Sequence, residues 1–208
     1  RSCYYHFLIL DRLTEVGCLI KSYKKKRPKF LIDAIRIMLN WSEKTILKNN
    51  RLPIFNDSPK DLISSADEII KFSKSYLYQE NFGCRGLRSL LLKKSFKDKK
   101  IKINASRYKN KLICDLPNTG LTIIRPNDTD EFCFKNGIPC PKHLPPHVHS
   151  DLLSFTISSN GQNIISNCGT SEYENTEIRK FERSSIAHNV FQLGIIKDQS
   201  DKIIEWIE

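Results

Sequence analysis

The sequence predicts an α+β protein in two parts: helices over residues 1–98, then an antiparallel β region over residues 99–208. Three observations carry this expectation. Up to about Phe72 the apolar residues recur at helical spacing, whereas from about Lys100 they fall in short alternating runs separated by turn residues. Charge changes with the pattern: residues 1–110 hold 25 Lys and Arg against 10 Asp and Glu, a balance of +15, and the rest hold 9 against 13, or −4. Helices followed by strands, rather than alternating with them, imply separate layers or domains.

The first helix is expected over residues 4–22, where Phe7, Leu8, Leu10, Leu13, Val16 and Ile20 form one apolar stripe. Lys24-Lys25-Lys26-Arg27 reads as a solvated inter-helix loop, and Pro28 suits the first turn of a second helix running to about Lys48 through Phe30, Leu31, Ile35, Met38, Leu39 and Trp41. Arg51 to Pro59 is a loop, with Asp57 or Ser58 expected to cap a third helix carrying Leu62, Ala66, Ile69, Ile70 and Phe72. Successive helices joined by short loops point to a bundle or a helical toroid.

The expected strands are Ile101-Lys102-Ile103, Leu112-Ile113-Cys114, Leu121-Thr122-Ile123-Ile124 and Phe132-Cys133-Phe134, punctuated by Pro117-Asn118-Thr119-Gly120 and Pro126-Asn127-Asp128. Asn160-Gly161, between Phe155–Ser159 and Gln162–Ser166, is a strong short hairpin signal. Just upstream lies Pro145-Pro146-His147-Val148-His149-Ser150-Asp151; if it is extended, His147, His149 and Asp151 share one face of the first hairpin strand.

With 208 residues the chain has enough length for a sizeable core. It opens on Arg1, already in mid-element, and closes inside the apolar-periodic Ile203-Ile204-Glu205-Trp206-Ile207, so it is expected to be a piece of a longer protein. No apolar run has the length of a membrane span. The seven cysteines are odd in number and lack CxxC spacing, which reads as free thiols. The net charge of +11 permits a polyanionic partner. It does not point to nucleic acid, because the basic residues are not interleaved with aromatics on one element.

Chemistry centres on the five histidines. His143 precedes a Pro-rich loop and reads as surface; His6 beside Tyr5 reads as a structural helical histidine. His188, in Arg183-Ser184-Ser185-Ile186-Ala187-His188-Asn189, could complete a site with His147 and His149, since metal sites often take two ligands from a short spacing and one from afar.

The stretch His147 to Phe155 resembles the H-x-H-x-D-x-x-S-F segment of the heparinase II/III-like polysaccharide lyases. The likeness extends in order over most of the chain. Ser2-Cys3-Tyr4-Tyr5-His6 resembles the start of a late toroid helix, Pro53-Ile54-Phe55-Asn56-Asp57-Ser58 the P-x-F-N-D-S loop, Asn167-Cys168-Gly169-Thr170 a D-S-G-T-like turn, and Arg183 to Asn189 the R-S-x-x-A-H-N motif. The resemblance implies an (α/α) toroid portion followed by an antiparallel β-sandwich, and β-elimination at a uronic acid of an anionic polysaccharide, of glycosaminoglycan or alginate type. It implies that Tyr5 is the catalytic tyrosine, acting as acid and, with help from its surroundings, also as base, since an unperturbed phenol titrates near ~10, and that His147 is a second base or charge neutraliser in the sugar cleft. The family's carboxylate-neutralising Asn/His motif is expected upstream of residue 1. His149 and His188 match two ligands of a structural Zn2+, and Asn167 stands where the third, an Asp, is expected; Cys168 beside it is the other candidate donor. The alternative for His149 and Asn167 is a hydrogen-bonded polar cluster. A periplasmic or extracellular site of action follows from the same resemblance. Two other readings stand beside the lyase: a non-catalytic relative that binds polysaccharide, and a zinc hydrolase, disfavoured because no H-E-x-x-H base accompanies the histidines.

Overall fold

A computed structural model describes residues 2–59, 65–79, 112–138 and 147–191. The expected strand at Ile101-Lys102-Ile103, the boundary at residue 98, His143, Cys84, Cys140 and the C-terminal apolar stretch lie outside the described residues. Within them the chain is α+β: four α-helices, a short 3-10 turn at Ser185–Ala187 and one five-stranded antiparallel sheet. It divides into two compact units, one built on helices from residues 5–46 and 65–79, the other on the sheet with residues 2–4, 47–59, 112–138 and 147–191.

In the helical unit, α1 (Cys3–Ser22) buries Phe7, Leu10 and Cys18, and α2 (Lys29–Thr45) buries Leu31, Ile35 and Leu39, the i, i+4 and i+8 positions of one stripe. Pro28 stands at the N-cap of α2. The third helix, α3 (Ala66–Tyr78), does not start where expected: Ser65, not Asp57 or Ser58, caps it by accepting the Glu68 N–H at 3.2 Å. Asp57 and Ser58 are instead buried in the sheet unit, where Ser58 Oγ lies 2.8 Å from Ser2 Oγ. Gly17 lets α1 approach α3, since a Cβ there would lie 2.6 Å from the Tyr76 ring. His6 is structural, as expected. Its Nε2–H donates to the Met38 carbonyl at 3.0 Å, and its ring lies 4.0 Å from that of Trp41.

The sheet is a meander of β1 (Ile113–Leu116), β2 (Leu121–Ile124), β3 (Asp130–Lys135), β4 (Phe155–Ser159) and β5 (Gln162–Ile165), in that spatial order. Asn160 and Gly161, at φ 49° and 74°, make the two-residue turn between β4 and β5. Alternation on β3 buries Glu131, Cys133 and Lys135 together, so two charges enter the interior with one cysteine. Each finds a counter-charge. Arg125 Nε donates to Glu131 Oε1 at 2.7 Å, and Lys135 Nζ donates to Asp151 Oδ1.

The same two charges hold the loop over residues 47–59. Glu131 Oε2 accepts the Lys48 backbone N–H at 2.6 Å near one end of β3, and Lys135 Nζ donates to Asn56 Oδ1 at 2.7 Å at the other. The loop thus lies along the buried face of β3 with Phe55, Asn56, Asp57 and Ser58 inside. The five described cysteines form no disulfide, and burial pushes the Cys3 thiol up to about 12, which removes it as a nucleophile. No helix among the described residues is long and apolar enough to cross a membrane.

Candidate active site

The histidine stretch is not the strand that alternation predicts. β4 begins only at Phe155; residues 148–154 are irregular, with a turn at Leu152-Leu153 that puts Leu153 at φ 61°. The side chains consequently do not share a sheet face. Asp151 runs to Lys135, and its Oδ2 accepts the Asn56 N–H at 3.0 Å, whereas His147 and His149 converge on a different carboxylate. The backbone here is fixed from outside the stretch: Asn56 Oδ1 accepts the His149 N–H at 3.2 Å, Arg183 Nε donates to the Val148 carbonyl at 3.0 Å, and the Ser150 N–H donates to the Arg183 carbonyl at 2.8 Å.

The carboxylate at the centre is Asp57, whose side chain is 0% exposed. Its Oδ2 meets His147 Nδ1 at 2.8 Å and its Oδ1 meets His149 Nε2 at 2.8 Å. Oδ1 also accepts from Thr170 Oγ1 at 3.1 Å and pairs with Arg179 Nη1 at 2.6 Å. Burial pushes the Asp57 carboxyl up, but the bonds from His149, Arg179 and His147 outweigh it and hold the group well below the usual carboxylate range. Asp57 is therefore an anion, and both rings donate to it. Arg179 Nη1 stands 3.4 Å from His149 Nε2, a longer approach that the Nε2–H cannot accept; the shorter Asp57 contact decides the proton's place.

Arg179 comes from α4 (Glu177–Arg183), which Thr176 caps by accepting the Arg179 N–H at 3.1 Å. Glu182 of the same helix accepts the Ser171 N–H on both carboxylate oxygens, at 2.9 and 3.1 Å, fastening the Asn167-to-Thr170 turn. Gly169 is required in that turn: its φ is +70°, and a Cβ would lie 2.6 Å from both Ile54 Cγ2 and the Ser58 carbonyl oxygen. Asn189, from the motif that contains Arg183 and His188, ties the hairpin by donating to the Phe155 and Ser166 carbonyls at 2.9 and 3.0 Å.

Behind His149 lies His188, with ring centroids 5.3 Å apart. Asn167 Oδ1 accepts from His188 Nδ1 at 2.8 Å, and Asn167 Nδ2 donates to Ser154 Oγ at 3.2 Å. His149, Asn167 and His188 are thus brought together. Burial pushes the His188 imidazole down to about 4, so it is neutral at physiological pH. His149 Nδ1 and His188 Nε2 are buried without hydrogen-bond partners. With protons placed on His149 Nε2 and His188 Nδ1, both orphaned atoms are lone-pair nitrogens, which is the state in which imidazoles bind zinc. The Asp57–His149 bond is the carboxylate support that metal-binding imidazoles commonly have. Of the three donors that the resemblance implies for zinc, Asn167 spends its carbonyl oxygen on His188, Cys168 Sγ points to the Gly169 and Glu182 carbonyls, and among the described residues no three His, Cys, Asp or Glu side chains group as a metal site.

His147 differs from its neighbour in exposure, its side chain being 50% accessible against 0% for His149. Tyr5 lies half-buried in α1, within the helical unit, while His147 belongs to the sheet unit. Spacing gave no sign of Asp57, Arg179 or Thr170 as site residues; Asp57 falls inside the P-x-F-N-D-S resemblance and Thr170 inside the D-S-G-T-like turn, and Arg179 inside neither.

Residues 109–200 match a family model described as Heparinase II/III-like, C-terminal, which bears out the resemblance carried by the motifs. No curated protein matches the chain. Among solved structures, a heparinase III aligns over 93% of this chain and 31% of its own, with a TM-score of 0.60 and 16% identity. A heparan sulfate lyase from Pedobacter heparinus aligns over 86% of this chain and 27% of its own, with a TM-score of 0.58 and 17% identity. The chain therefore spans less than a third of the length of either structure, and at these identities the likeness is one of fold.

Proposed function

We propose that this chain, heparinase II/III-like over residues 109–200, is part of a polysaccharide lyase that cleaves a uronic-acid-containing polysaccharide by β-elimination. The observation that carries the reading is the His147–Asp57 pair, a half-exposed imidazole held at 2.8 Å by a fully buried carboxylate. A carboxylate that accepts a hydrogen bond from Nδ1–H leaves Nε2 as the basic nitrogen, the arrangement of a general base.

In this mechanism the C5 proton of the uronate leaves to a base, the C4–O4 bond breaks, and a double bond forms between C4 and C5 as O4 departs with a proton. His147 accepts the C5 proton or offsets the negative charge of the sugar carboxylate, and Tyr5 supplies the proton to O4. The resemblance assigns neutralisation of the carboxylate to an Asn/His motif outside the segments matched here. The helices belong to an (α/α) toroid and the sheet to a β-sandwich. The +15 balance of residues 1–110 suits a polyanionic substrate. Zinc, if it is part of the protein, is held by His149 Nδ1 and His188 Nε2 and steadies the fold, with Asn167 orienting His188; no proton transfer passes through it. Action in the periplasm or outside the cell accompanies this reading.

The test is the full-length protein incubated with heparan sulfate and, separately, alginate. A lyase generates unsaturated uronate ends with new ultraviolet absorbance, and Tyr5→Phe and His147→Ala abolish it. Retention of the polysaccharide without new absorbance would instead favour a binding protein, and chain cutting without a double bond would favour a hydrolase.

A further inference from the structure

The geometry points to Asp57 as a positioning residue that fixes the two rings of the His147–His149 pair in opposite tautomers, Nδ1–H at His147 and Nε2–H at His149. A carboxylate is the only common side chain that does this, because it accepts on both oxygens and donates on neither. One oxygen of Asp57 faces His147 Nδ1 and the other faces His149 Nε2, each at 2.8 Å. The half-exposed ring thereby keeps its lone pair on Nε2, and the buried ring keeps its lone pair on Nδ1, the atom that has no hydrogen-bond partner. One buried anion thus assigns an outward-facing role to one histidine and an inward-facing role to the next but one. The catalytic consequence rests on the lyase reading; the tautomers do not.

The two carboxylate oxygens are not equivalent. Oδ1 receives His149, Arg179 and Thr170, whereas Oδ2 receives His147. An amide in place of the carboxylate would keep its oxygen where three donors converge and turn its NH2 toward His147. In Asp57→Asn that NH2 can only donate, so Nδ1 of His147 must become the lone-pair nitrogen and the proton must move to Nε2. His149 keeps its tautomer. A residue that merely filled space would not produce this selective inversion.

The experiment is long-range 15N–1H correlation spectroscopy of the histidine rings in the full-length protein, with chelator present, at a pH where His147 is neutral and with His147→Gln used to assign its signals. The expected result is Nδ1–H at His147 in the wild type and Nε2–H in Asp57→Asn, with the His149 pattern unchanged. A wild-type His147 in the Nε2–H form, or one unmoved by Asp57→Asn, would overturn the assignment. If Asp57→Asn does not fold, the wild-type spectrum alone decides. Where the wild type shows lyase activity, Asp57→Asn is expected to lower kcat by about 100-fold or more with little change in KM, as loss of a positioned base does. A wild type with the expected tautomers and no unsaturated products would sink the lyase reading and leave the role of Asp57 standing.

Discussion

Arg179 and Asp57 meet at 2.6 Å with side chains 8% and 0% exposed, so the guanidinium is the permanent counter-charge of an anion that also receives two imidazoles. Removing one partner of a buried ion pair strands the other. Arg179→Met is expected to destabilise the sheet unit by about 3–5 kcal/mol, read as a lowered midpoint in urea unfolding. An unchanged midpoint would mean the histidines alone satisfy Asp57.

Lys135 and Asp151 form a second buried pair, bound to each other and shared with Asn56. Lys135→Met should cost about 3–5 kcal/mol. The double variant Lys135→Met, Asp151→Leu should cost less than the sum of the singles, because it leaves no stranded charge. Additive losses in a double-mutant cycle would contradict this.

Gly169→Ala combines a positive φ with a Cβ 2.6 Å from two atoms of the 54–58 loop. We expect a loss of more than about 1 kcal/mol in thermal unfolding, together with faster amide exchange at Asn56 and Asp57.

His6 governs the acid limb of the helical unit. Burial lowers its pKa from the ordinary 6.5. A base with a depressed pKa in the folded state favours the neutral form, so its stabilising contribution is complete above 6.5 and declines as pH falls below that value. Between pH 7.5 and 5.5 the wild type should lose more stability than His6→Gln, as followed by circular dichroism of the helices. Equal losses in the two proteins would remove His6 as the cause.

For zinc, dialysis followed by elemental analysis should find metal on the wild type and none on His188→Ala. Asn167→Asp should tighten binding by about tenfold or more, since a carboxylate compensates the cation where an amide does not. Equal zinc content in wild type and His188→Ala would rule out the paired imidazoles as its ligands.

The sequence made the strands legible because their signals are local: β2, β4 and the Asn160-Gly161 turn follow from alternation and turn chemistry within a few residues. The start of α3 was misread for the opposite reason. Asp57 has the composition of a cap, and only partners far along the chain, His147, His149, Thr170 and Arg179, reveal that it is wanted elsewhere. The His147–His149 spacing correctly marked a site, but a period-two strand was the wrong geometry for it. An irregular segment held by Asn56 and Arg183 aims the rings at one carboxylate, and no periodicity encodes that.

The loop over residues 47–59, fastened to Glu131 and Lys135 of β3, makes the sheet unit discontinuous in the chain. During synthesis that loop leaves the ribosome well before the strand it will cover, so it has no sheet to bind until β3 follows. A gene fragment encoding only residues 112–191 would produce strands whose interior charges lack part of their cover. Separating residues 112–191 from the loop over residues 47–59 is therefore expected to yield insoluble protein.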